Sequence, residues 1–135
     1  MFSLTAGLFL CLAVSVGVSA LEYGDPCWIT NVGQDAVINI PNSCKVGQID
    51  WHYPRDSVLV RLSLPNTSFS LCLEEGWSTN IQGVVEVTAG VENAQPLPRE
   101  GHPTCIKSVH NEAVFRVVAS DTLYYMTSFN FRVTE

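Results

Sequence analysis

The stretch Cys44-Lys-Val-Gly47-Gln-Ile49-Asp-Trp51-His-Tyr53-Pro54-Arg-Asp-Ser-Val58-Leu-Val60-Arg61-Leu62 decides the fold. Ile49, Trp51 and Tyr53 alternate with Asp50 and His52, and Val58, Val60, Leu62 and Leu64 share one face opposite Arg61 and Ser63. A period of two is the signature of a strand with one buried face, because successive side chains leave a pleated backbone on opposite sides. Pro54 has no N–H to give to a ladder and ends the first strand. Arg55, Asp56 and Ser57 form a polar turn before the second. Trp51 shares its parity with Ile49 and is assigned to the core. Tyr53 has that parity too and is expected to pack against a facing sheet.

The same pattern repeats outward from this stretch. Ala36 to Ile40 is a short apolar run stopped by Pro41. Phe69, Leu71 and Leu73 form one inward set, and Ile81, Val85 and Val87 share a parity with Gly83, opposite Gln82, Val84, Glu86 and Thr88. Ala113 to Ala119 is largely apolar, and Leu123, Tyr125, Phe129, Phe131 and Val133 alternate with Asn130 and Arg132. Gly90 to Pro103, with Pro96, Pro98, Gly101 and Pro103, breaks the pattern and is expected to be a mobile loop. About seven or eight strands separated by turns predict an all-β, antiparallel two-sheet β-sandwich.

The N-terminus reads as an address. Phe2 to Ala20 carries no charge and closes with Val18-Ser19-Ala20, the small-x-small pattern of a secretory signal, so cleavage is expected between Ala20 and Leu21. A membrane anchor is the alternative, but it needs about 20 apolar residues, and Ser3, Thr5, Ser15 and Ser19 dilute this run. The chain thus divides into a signal peptide, 1–20, and one domain, 21–135, with no membrane span after cleavage. Of the five cysteines, Cys11 leaves with the signal. Cys27, Cys44, Cys72 and Cys105 remain, an even set that implies disulfides in a secreted chain. Three connectivities are open, of which the sequential one closes the shortest loops. Asn66-Thr67-Ser68 fits the N-glycosylation pattern, and Pro65 places Asn66 in an exposed turn.

The formal charge of −6 argues against nucleic acid, which is held by clustered Lys and Arg. No nucleophile elbow, phosphate loop, zinc helix or Cys-x-x-Cys pair is present. The reading is non-enzymatic, with no cofactor and no metal. A metal site built from His102, His110 and Glu112 competes with three solvated histidines, His52 included, and nothing in the spacing favours the site. Glu74 and Glu75 are adjacent, so on a strand they point to opposite faces and cannot act together. A calcium role for them, with Asp50, Asp56 or Asp121, competes with a solvated acidic turn. Among Trp28, Trp51 and Trp77, Trp77 follows Glu-Glu-Gly in a turn and is the candidate for an exposed contact.

Gly47, Trp51, Tyr53 and Pro54, in the pattern Cys, Gly, then Trp-x-Tyr-Pro, resemble the N-terminal CUB-like domain of the meteorin family of secreted proteins. Cys27-Trp28, Phe69-Ser-Leu-Cys72-Leu, Cys105 after its loop, Ala113-Val-Phe115 and Phe129-Asn-Phe131-Arg-Val133 extend the resemblance over Cys27 to Val133. It implies a two-sheet sandwich and the pairs Cys27–Cys44 and Cys72–Cys105. It also implies a secreted, non-enzymatic signalling ligand whose partner is an extracellular or cell-surface protein. That family continues into a second, netrin-like domain, and this sequence is expected to hold the first alone. The contact surface is expected in the loops around Trp77 and Gly90 to Pro103. A carbohydrate- or lipid-binding module of defence or extracellular coat material is the alternative, motivated by Trp77 and Tyr124-Tyr125. A secreted enzyme or protease inhibitor is a more distant one.

Overall fold

A computed structural model describes residues 24–31, 36–122 and 124–135. The signal segment, the Ala20–Leu21 junction and Leu123 lie outside the described residues. Ten strands occur among them: β1 (Trp28–Asn31), β2 (Val37–Asn39), β3 (Val46–His52), β4 (Ser57–Ser63), β5 (Ser70–Glu75), β6 (Ile81–Glu86), β7 (Asn93–Gln95), β8 (Thr104–Lys107), β9 (Glu112–Ala119) and β10 (Met126–Thr134). They form two five-stranded sheets, ordered β1-β3-β10-β5-β8 and β2-β4-β9-β6-β7. Phe115, Val117, Val58, Val60 and Leu62 of one sheet and Ile49, Trp51, Leu71, Leu73, Phe129 and Phe131 of the other are buried in one core. The protein is a two-sheet β-sandwich.

Each sheet is mixed. β1 pairs parallel with β3, and β2 pairs parallel with β4; the other pairs are antiparallel. Alternation fixes which face a residue takes but not the direction of its strand. Parallel neighbours need a crossover, and here the opposite sheet supplies it: the chain lays β1 in the first sheet, β2 in the second, then returns for β3 and β4.

Three local readings are corrected. Gly90 to Pro103 is not structureless: it holds β7 and an Arg99–His102 bridge. Its backbone is tied by Thr104 Oγ1 donating to the Pro96 carbonyl at 2.6 Å and by Glu100 N–H donating to Glu75 at 3.0 Å. In β6 the register shifts between Ile81 and Gly83. That bulge puts one extra residue into the strand and exchanges its faces. Val84 therefore enters the core, while Val85 and Val87 are half-buried. Finally, β3 stops at His52 and β10 starts only at Met126, so neither Tyr53 nor Tyr125 packs inward.

Disulfides join Cys27 to Cys44 and Cys72 to Cys105. The first ties β1 to the loop entering β3; the second bridges register partners on β5 and β8. Such bonds persist in oxidising compartments. No helix among the described residues is long and apolar enough to cross a membrane. Asn66 sits in an exposed turn with a positive φ of 54°. Thr67 Oγ1 donates there to the Pro65 carbonyl at 3.0 Å. Non-reducing peptide mapping of secreted protein is expected to recover Cys27–Cys44, Cys72–Cys105 and a glycan-bearing Asn66 peptide. A Cys27–Cys105 peptide would overturn the fold's covalent frame.

Candidate interaction surface

Connections between strands gather at one end of the sandwich. β3 ends and β4 begins there, with only residues 53–56 between them, and β5 ends and β6 begins across residues 76–80. The β9–β10 connection (120–125) arrives at the same end, because β9 is antiparallel to β4 and β10 to β3. So does the chain between β7 and β8, through the Glu100–Glu75 hydrogen bond.

The turn after β3 has an unusual backbone. Tyr53 and Asp56 both adopt positive φ, 50° and 58°, a region that disfavours side chains other than glycine. The surroundings hold them there: Tyr53 N–H donates to the Tyr125 carbonyl at 2.7 Å, and Ala119 N–H to the Asp56 carbonyl at 2.8 Å. Reversal of the chain at Tyr53 turns the ring out of the strand's inward parity, and the side chain is 68 % exposed. Pro54, which ends the strand, is buried beneath it. Tyr125 is also 68 % exposed and Tyr124 40 %. Tyr53, Pro54, Arg55, Tyr124 and Tyr125 line a shallow concavity of about 400 Å³. Arg55 makes no ion pair among the described residues, whereas Lys45, Arg61, Arg116 and Arg132 are paired with Glu135, Glu112, Glu92 and Glu74.

Trp77 is 64 % exposed, yet its backbone is fixed. Gly76 N–H donates to Thr79 Oγ1 at 2.6 Å, and that hydroxyl donates to the Ser128 carbonyl at 2.6 Å. Asn80 N–H donates to Thr127 Oγ1 at 2.8 Å, Thr127 Oγ1 to the Ser78 carbonyl at 3.2 Å, and Ser128 N–H to the same carbonyl at 2.7 Å. The loop thus lies along β10. Gly76 permits this close approach, since a Cβ there would stand 2.7 Å from the Ser128 carbonyl oxygen. A large ring held on ordered backbone offers contact area at low entropic cost.

The titratable residues weighed from sequence do not converge. His102 precedes β8 and His110 follows it, towards opposite ends of the sandwich, and Glu112 is engaged by Arg61 at 2.6 Å. Glu74 faces Arg132 while Glu75 holds the Glu100 backbone. Among the described residues no three His, Cys, Asp or Glu side chains gather as a metal site. Trp51 is core, as its parity predicts, at 1 % exposure. Trp28 is half-buried and spent on a hydrogen bond to Asp50.

No family model and no curated protein matches this chain. Among solved structures it is similar to the CUB1-EGF-CUB2 domains of rat MASP-1, with a TM-score of 0.43 and 15 % identity, over 78 % of this chain and 43 % of that one. The chain therefore spans less than half the length of that structure. Sequence reading missed Tyr53 and Arg55, because parity hid the chain reversal. It found Tyr124-Tyr125 only as an adjacent pair. Two neighbouring aromatics cannot both face inward on a strand, and that was the available signal.

Proposed function

We propose that this protein is a secreted, CUB-like, non-enzymatic module that binds an extracellular or cell-surface protein through its aromatic end. The observation that carries the reading is the set of exposed aromatic side chains, Tyr53, Tyr124, Tyr125 and Trp77, of which Tyr53, Tyr125 and Trp77 stand on or within backbone tied by hydrogen bonds. Interface energy concentrates in Trp, Tyr and Arg, and this end presents all three. Strained backbone is retained where surrounding structure enforces it, and it clusters at binding sites. The meteorin-like pattern at Gly47, Trp51, Tyr53 and Pro54 supports the narrower reading of a signalling ligand. Three of its four positions, Gly47, Trp51 and Pro54, are buried, and Tyr53 is at the surface.

Labelled protein is expected to bind cells saturably, and trypsin treatment of those cells is expected to abolish binding. Trp77→Ala combined with Tyr125→Ala should weaken it about tenfold or more, the scale of hot-spot truncations. Both positions are exposed, so the melting curve should not move. Binding that survives this pair unchanged would remove the aromatic end as the site. Binding lost to glycosidase but not to trypsin would replace the protein partner with a carbohydrate, the reading that Trp77 and Tyr124-Tyr125 also motivate.

A further inference from the structure

The two disulfides differ in access. Cys44 is 1 % exposed and Cys27 half-buried, which shields the first bridge, whereas in the second Cys72 is buried but Cys105 is exposed. β8, which carries Cys105, is the last strand of its sheet and pairs only with β5. Its burial alternates, with Thr104 and Ile106 inward and Cys105 and Lys107 on the outer face. Cys72 is in register with Cys105 on one side and with Arg132 of β10 on the other. Register partners share a face with about 5 Å between Cβ atoms, and diagonal neighbours stay within reach of long side chains. Arg132 therefore flanks Cys72 directly and Lys107 flanks it diagonally. Glu74, two residues along β5 on the same face, lies 3.6 Å from Arg132. Cys105 also lines a cleft of about 660 Å³ together with Arg99 and His102. Those two are partners across a tight turn with Glu100 at its tip, joined by both backbone hydrogen bonds, so their side chains leave it on one side. Arg99 ion-pairs with no carboxylate among the described residues.

We propose that Cys105 is a site of S-thiolation by a small anionic thiol. The thiolate sulfur attacks Cys105 Sγ and forms a new S–S bond there. The Cys72–Cys105 bond breaks, and its electron pair leaves on Cys72 Sγ. One disulfide replaces another, so the step needs no oxidant and no reductant besides the thiol itself. Access selects the sulfur that is attacked, and a leaving thiol of lower pKa departs faster. Neighbouring cations stabilise a thiolate, and Arg132 and Lys107 stand beside Cys72, which makes it the better leaving group. A cleft of this size holds a molecule as large as a tripeptide thiol. Within it, Arg99 offers its guanidinium to the carboxylate of that thiol.

The test treats the folded protein with reduced glutathione, quenches with acid, alkylates the free thiols and maps the peptides. Glutathione is expected on Cys105 and the alkyl group on Cys72. Cys27–Cys44 should stay intact and react at least about tenfold more slowly, as its poorer access demands. Arg132→Gln combined with Lys107→Gln should slow the reaction about threefold or more, because the leaving thiolate loses its cations. Glu74→Gln should accelerate it by releasing Arg132 from a carboxylate. Loosened packing would accelerate exchange in any variant, so a slowed one is not a stability effect. Arg99→Gln should slow glutathione and leave mercaptoethanol, which has no carboxylate, unchanged. Glutathione on Cys72, equal or earlier opening of Cys27–Cys44, no adduct on the folded protein, rates unmoved by the charge variants, or an Arg99→Gln effect shared by both thiols overturns the proposal. Cell binding enters none of these readouts, so the proposed function stands or falls separately.

Discussion

Trp51→Ala is expected to destabilise the protein by about 3–5 kcal/mol, the range for emptying a buried aromatic site. Trp51 is the largest fully buried side chain of the core. It lies in register with Thr127 of β10 on one side and Asn31 of β1 on the other, so backbone on both sides limits collapse into the void. A domain of this size has about 5–15 kcal/mol in total, so the loss is a large fraction of it. Chemical denaturation should show a lower midpoint with little change in slope. Thermal melting should fall by more than about 10 °C. Trp51→Phe keeps an aromatic ring and should lose less. An unchanged midpoint in Trp51→Ala would remove Trp51 from the core.

The class of fold was legible because β3, β4, β5 and β10 carry their burial largely as a parity. Ile49 with Trp51, Val58 with Val60 and Leu62, Leu71 with Leu73, and Phe129 with Phe131 and Val133 all face inward as alternation predicts. What failed did so where a local event changes the phase. The bulge in β6 exchanged the faces at Val84 and Val85; Gly83 beside it is the kind of residue that marks a bulge, but a glycine alone does not say that the phase has changed. Reversal at Tyr53 turned an apparent core aromatic into a surface one. β7 and β8 are short edge strands, whose three and four residues are too few to show a period. Strand direction was invisible for a different reason: the parallel pairs β1–β3 and β2–β4 depend on the order of crossings between sheets, and local pattern carries no record of that order.

The candidate surface divides in the same way. Trp77 could be assigned outward because Gly76 and its acidic neighbours mark a turn. Its rigidity could not, since the bonds that fix the loop come from Thr127 and Ser128, about fifty positions downstream in sequence. The Trp28–Asp50 hydrogen bond needs β1 beside β3, which follows only from their parallel pairing. Both features are made by long-range register acting on residues that look ordinary where they stand.

Gly47→Ala is expected to cost about 3 kcal/mol or more, at the upper end of what overpacking one methyl does. Gly47 has an ordinary negative φ, so the effect is steric and not conformational. Gly47 sits directly opposite Phe131 in the β3–β10 register, and the Phe131 ring lies across it. A Cβ at this position would fall on the ring edge of Phe131 and on the carbonyl oxygen of Cys27. Neither neighbour is a flexible side-chain end. Phe131 is buried in the core. The Cys27 carbonyl accepts the Gln48 N–H at 3.0 Å, and its residue is fixed by the disulfide to Cys44. Alanine restricts the unfolded chain and would return only about 0.4–1 kcal/mol, so the clash wins. Denaturant titration should show the loss. The double variant Gly47→Ala with Phe131→Leu should be less destabilised than the two single effects added together, because the shorter side chain frees the space that the methyl needs. Additive losses would mean that the ring is not what Gly47 accommodates, and a single variant within about 0.5 kcal/mol of wild type would mean that the close approach of β3, β10 and the Cys27 arm is not as described.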